Sequence, residues 1–199
     1  MQISRRTMLS GFGMAAVLAA CGNGVNSNGA QQIDARVDAT KAFLDGRYPG
    51  TIELTNKAYG VLYMPLMTEA GFFVGGAYGR GALRINGATV DYYSATEASY
   101  GLQIGAQQYG HALFFMTQEA LANFRSSDGW VAGVDIRYAT PDQGGSIGAD
   151  TTQSDPVIAL VFGQQGLMAG ASIAGTKYTR IIPEAVTRGV RARTPHPIL

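Results

Sequence analysis

Apolar and polar positions change period along this chain, first at Gly60. From Ile33 to Asp45 the period is helical: Ile33, Val37, Thr40 and Leu44 fall on one stripe, with Phe43 beside it. Asp34, Arg36, Asp38 and Lys41 occupy the other face. Gly46 and Pro49 are stop signals, and Thr51 to Ala58 reads as a second short helix. From Gly60 the pattern becomes strand-like: 61–64, 71–85, 89–93, 102–108 and 112–116 are rich in aromatic and aliphatic residues. Asn86-Gly87 lies between two of these segments and predicts a hairpin, since both residues tolerate positive φ. Thr117 to Phe124 reads as a helix with Thr117 as its N-cap. Strands return at 130–138, 157–162, 167–173 and 177–181, and Gln143 to Ser154 is a polar, Gly-rich loop. Gly75, Gly76, Gly79, Gly81, Gly101 and Gly105 sit inside strand-like stretches, where glycine marks bends, bulges or close backbone approach. The expected fold is therefore α+β. It is a strongly curved, mainly antiparallel, Gly-rich β-sheet or partial barrel, with N-terminal helices and one short helix near 117–125.

The first 20 residues have a different logic. Arg5 and Arg6 precede an apolar run, Leu9 to Ala20, that is too short to span a bilayer; a spanning helix needs roughly 20 apolar residues. Ser4-Arg5-Arg6-Thr7-Met8-Leu9 resembles a twin-arginine export signal, with Met8 where Phe is usual and no following Lys. Leu18-Ala19-Ala20-Cys21 resembles a bacterial lipobox. That resemblance implies cleavage before Cys21, then acylation of its thiol and its new amino terminus. It also implies a periplasm-facing protein, with Gly22 favouring the outer membrane over the inner. The organisation expected is a signal peptide at 1–20, an acylated cysteine and tether at 21–32, a folded domain at 33–182 and a basic tail at 183–199. Residues 22–32 would span roughly 18 Å root-mean-square as a random coil.

Composition narrows the function classes. Removing the signal leaves 179 residues, enough for a substantial core, and hydrophobic residues make up 46% against 15% charged. The net charge of +1 becomes −1 without Arg5 and Arg6, so no strong field selects nucleic acid. Cys21 is the only cysteine, so no internal disulfide can form and the fold rests on packing. Arg188, Arg191 and Arg193 make the tail basic.

No catalytic set emerges from the residues. The only histidines are His111 and His196, so no zinc set is expected. Asp128, Asp135, Asp142, Asp150 and Asp155 follow no EF-hand pattern. Gly75 to Gly81 lacks the Lys-Ser or Lys-Thr of a phosphate loop and opens no helix. Ser172 lies in Gly170-Ala171-Ser172-Ile173-Ala174-Gly175, one residue off a nucleophile elbow and in an expected strand, with His111 its only partner outside the tail. The expectation is a non-enzyme without metal or cofactor.

Several stretches resemble the SYLF domain of lipid-binding proteins. They are Ala58 to Pro65, Ala70 to Gly79, Ser99 to Gln107, Phe115-Met116-Thr117, Ser127 to Trp130, Asp150-Thr151-Thr152 and Gly166 to Gly170. The resemblance runs from about residue 33 to 182. It implies a non-enzymatic domain that binds a phospholipid membrane through an amphipathic N-terminal segment and basic residues. The nearest counterparts of those residues are Lys41, Arg47 and Lys57. Asp34, Asp38 and Asp45 offset them in charge. The alternative expectation is an envelope structural or interaction module. It would recruit a protein partner, with its acyl chains alone holding the membrane.

Overall fold

Two long strands carry the architecture. β1 (Gly60–Ile85) and β2 (Ala88–Phe115) form one antiparallel hairpin whose register runs from Ile85↔Ala88 to Gly60↔Phe115. The turn is Asn86-Gly87, with φ of 51° and 80°; this double positive φ matches the right-handed twist of the flanking strands. The five strand segments expected here merge into two, because pairing resumes after each irregularity. These fall between Met64 and Met67, Gly71 and Phe73, and Leu83 and Arg84. Pro65 lies in the first, where its missing N–H leaves no gap in the ladder.

The computed structural model describes residues 29–133, 136–139, 155–164, 166–168 and 171–183, with side chains except at 70–74 and 99–106. The signal, Cys21, the loop at 143–154 and the tail beyond Pro183 lie outside the described residues. The chain divides into two units, Met1–Gly29 with Glu184–Leu199, and Ala30–Pro183; the sheet belongs to the second.

β2 is the central strand. Its second edge pairs with β5 (Val157–Gly163) along Gly110–Phe115 and with β7 (Lys177–Ile181) along Tyr92–Thr96. β3 (Trp130–Val131) adds to β7, β6 (Gly166–Leu167) adds to β5, and β4 (Arg137–Tyr138) runs parallel to β5. Among the described residues the result is a seven-stranded, mostly antiparallel sheet, strongly curled into a half-barrel. Two expectations are corrected. The strand at 130–138 is two short pieces, and that at 167–173 shrinks to Gly166–Leu167, which leaves Ser172 outside any strand.

Strand alternation gives the sheet two buried faces. Leu62, Met64, Leu113, Phe115 and Ala159 enter the inner cluster, while Val61, Tyr63, Ala112, Phe114 and Leu160 enter the outer one. The curl brings β1 over itself. A Cβ at Gly81 would sit 2.0 Å from the Tyr63 carbonyl oxygen, and one at Gly79 would sit 2.5 Å from that of Leu66. Only glycine permits this approach.

α1 (Gly29–Arg47) and α2 (Gly50–Lys57) cover part of the outer face, and α3 (Gln118–Ser126) packs Leu121 and Phe124 into the inner cluster. α1 begins at Gly29, so residues 29–32 are helical where composition suggested tether. The expected stripe of Ile33, Val37, Thr40 and Leu44 is buried. Burial of each of its three apolar members contributes roughly 1.5–3 kcal/mol. α3 is capped as expected: Thr117 Oγ1 accepts from the Ala120 N–H at 3.1 Å.

Candidate functional site

α1 lies on the sheet with a cavity along each flank. One flank is apolar: Ala39 and Phe43 of α1 face Pro65, Leu66 and Phe162 across a cavity of about 370 Å³. The irregularity at Pro65-Leu66 shapes its wall, since it turns these residues out of the regular pleat.

The opposite flank is charged. A cavity of about 340 Å³ lies between α1, α2 and the hairpin turn, bordered by Asp38, Lys41, Thr55, Asn56, Tyr63 and Arg84. Arg84 is its fixed element. It donates to Asp38 at 2.7 Å, to Asp34 at 3.4 Å and to the Gly87 carbonyl at 3.1 Å. Its buried Nε has no partner among the described residues. Asp34 also accepts from Thr89 and from the Tyr92 hydroxyl, each at 2.7 Å. Burial, with the Asp34 carboxylate beside it, pushes the Tyr92 phenol up to about 12. This network ties the start of α1 to the hairpin. Sequence reasoning missed Arg84 because it stands in a strand, away from the helical charges that drew attention.

The structure separates the three basic residues singled out from sequence. Lys41 borders the charged cavity and hydrogen-bonds to Asp45, which, more than any other influence, raises its pKa. Lys57 donates to Glu53 at 2.6 Å on the exposed side of α2. Arg47, at the end of α1, lies against Gly166 of β6 and donates to the Tyr48 hydroxyl at 3.3 Å. Lys41 and Lys57 therefore each hold a carboxylate four residues away, which offsets their charge locally.

A third polar set lies inside the curl. His111 is fully buried and its Nε2 meets the Tyr178 hydroxyl at 2.7 Å, while Nδ1 has no partner among the described residues. Burial lowers the His111 pKa to about 3, so the ring is neutral, and burial raises Tyr178 well above the usual phenol range. Glu97 accepts from Tyr109 and Thr176, both at 3.0 Å. Ser172 is not part of this set: its hydroxyl lies 3.1 Å from that of Tyr138 and accepts from the Ala174 N–H. Ser172 and His111 thus hold different partners. Among the described residues no His, Cys, Asp and Glu cluster suits a metal ion.

Residues 96–181 match the family model described as Ysc84, Las17-binding protein actin regulator. This segment is similar to the SYLF, or Ysc84, domain family. The SYLF match starts at Thr96 in β2 and takes in α3 and β3 to β7. β1, α1 and α2 precede the SYLF match but belong to the same folded unit through the β1–β2 ladder. No curated protein matches the chain. No helix among the described residues is long and apolar enough to cross a membrane.

Proposed function

We propose that this protein is a bacterial lipoprotein, acylated on Cys21, whose SYLF domain binds anionic phospholipid headgroups and catalyses no reaction. The observation that carries lipid binding is the SYLF match over residues 96–181, since the family is a lipid-binding one. The anchor is supported by the sequence alone: Arg5-Arg6, the short apolar run and Leu18-Ala19-Ala20-Cys21. In this reading the domain faces the periplasm from the envelope, with the outer membrane favoured by Gly22.

The two attachments reinforce each other. Each buried CH₂ of an acyl chain contributes roughly 0.8 kcal/mol, so several chains hold the protein at the bilayer. A domain tethered so closely meets headgroups at high effective concentration, and a weak affinity then suffices. Lys41 borders the charged cavity beside Arg84, and Lys41 and Lys57 each hold a carboxylate four residues away, so the helix side offers headgroups little uncompensated charge.

Vesicle co-sedimentation of the full chain at low salt tests the headgroup reading. Greater recovery with phosphatidylglycerol-containing vesicles than with pure phosphatidylcholine is expected; equal recovery rules it out. Cys21→Ala is expected to move the protein out of the membrane fraction of cells, and undiminished retention contradicts the anchor. The family description names a protein-binding member, which favours a second reading, an envelope module that recruits a protein partner. Enrichment of one envelope protein in a pull-down, with no vesicle binding, would select it.

A further inference from the structure

The outer face of the sheet is covered along only part of its length. Ala82, Tyr92 and Ile181 form one cross-strand row, and this row packs into the outer cluster beneath α1. Two residues further along β1 the row is Arg80, Ser94 and Thr179. Two further still it is Tyr78, Thr96, Lys177 and Val131. Directly paired residues, and residues two apart, share a face. The intervening Ala77, Tyr93, Ala95 and Tyr178 are buried in the inner cluster, so the pleat turns these two rows outward.

Their chemistry is distinctive. Tyr78 and Val131 are each 52% exposed, as large apolar residues at opposite ends of one row. The row crosses four strands, roughly 14 Å at the usual strand spacing. Arg80 and Lys177 are exposed and make no ion pair among the described residues. Neither row contains an Asp or a Glu. Glu97 turns inward to Tyr109 and Thr176, and Asp91 is held by Arg125 and Arg180; Asp128, exposed beside the Gly129 that Lys177 packs against, makes no ion pair with Lys177 among the described residues. The helix-side lysines differ, since Lys41 and Lys57 each carry their own carboxylate.

We propose that this strip, centred on Tyr78, Arg80, Lys177 and Val131, is the surface that lies on an anionic bilayer. The inference rests on the lipid-binding reading above and names the face that performs it. Tyrosine suits the headgroup level because its ring is apolar and its hydroxyl is wet. Val131 enters the acyl boundary beside it, and the two cations meet the negative surface potential. A second copy is a poor occupant, because a two-fold contact would set the uncompensated cations of one strip against those of the other.

The test compares full-chain variants on phosphatidylglycerol–phosphatidylcholine vesicles and on pure phosphatidylcholine, so the acyl or signal segment contributes equally to every arm. Removing both charges, as Arg80→Gln with Lys177→Gln, is expected to lower the anionic-to-neutral partition ratio about 30-fold. Tyr78→Ser with Val131→Ser is expected to weaken binding to both vesicles. Lys41→Gln with Lys57→Gln is expected to change the ratio by less than about threefold. All these side chains are at least partly exposed, and circular dichroism of each variant confirms that the fold is kept. An unchanged ratio in the Arg80/Lys177 variant, in a parent that prefers anionic vesicles, overturns this face and leaves the lipid reading standing. A parent with no anionic preference overturns the lipid reading itself. A dimer that Tyr78→Ser with Val131→Ser dissolves overturns the inference in favour of a second copy.

Discussion

The most exacting prediction concerns His111. Its ring is fully buried, and burial lowers its pKa from 6.5 to about 3. In the unfolded chain the same side chain titrates near 6.5. Between those two values the unfolded state binds a proton that the folded state refuses. Stability therefore rises with pH across this window, and it is lost as pH falls below about 6.5. Each unit of that window is worth about 1.4 kcal/mol, so the loss by pH 5 is about 2 kcal/mol. A domain of ordinary stability, about 5–15 kcal/mol, shows such a change clearly. The comparison needed is His111→Leu combined with Tyr178→Phe. The double replacement removes the imidazole without leaving the Tyr178 hydroxyl, 2.7 Å away, unpartnered. Urea unfolding midpoints of parent and variant are measured near pH 7.5 and near pH 5. The parent is expected to lose about 2 kcal/mol more than the variant over that interval. Carboxylates and the second histidine, His196, are common to both chains and cancel in the difference. Parallel pH profiles would refute the reasoning, since they would mean that His111 reaches water or a compensating charge when protonated.

Two further outcomes follow from the packing. Gly81→Ala places a Cβ 2.0 Å from the Tyr63 carbonyl oxygen, so the curl of β1 must open; a loss of about 3 kcal/mol or more is expected in chemical denaturation. Thr117→Ala removes the Oγ1 that accepts the Ala120 N–H at the start of α3 and is expected to cost about 1 kcal/mol, read from the shift in unfolding midpoint.

Some features of this protein are local, and the sequence alone determined them. The Asn86-Gly87 turn needs two residues that tolerate positive φ, and they stand adjacent between strand-like runs. The N-cap at Thr117 and the stripe of Ile33, Val37, Thr40 and Leu44 depend only on near neighbours and helical period. The SYLF resemblance was legible for the same reason, since its segments keep their order along the chain. Strand lengths were not local. Whether 61–64 and 71–85 are one strand or two depends on whether a partner continues past the irregularity at Pro65, and β2 does. The glycines at 79 and 81 announced a bend, but only the curled sheet showed that β1 meets itself there. Site residues divide the same way. Charge on α1 and α2 drew attention to Lys41, Arg47 and Lys57, yet the folded chain pairs Lys41 with Asp45 and Lys57 with Glu53 and sends Arg47 to β6. Arg80 and Lys177 are 97 positions apart in the sequence and have no pattern in common. They share a face because β2 pairs with β1 on one edge and β7 on the other, and the pleat turns both residues to the same side. Sequence periodicity reports which way a side chain points along its own strand. Which strands stand beside it, and so which charges become neighbours, is decided by long-range hydrogen-bonded pairing.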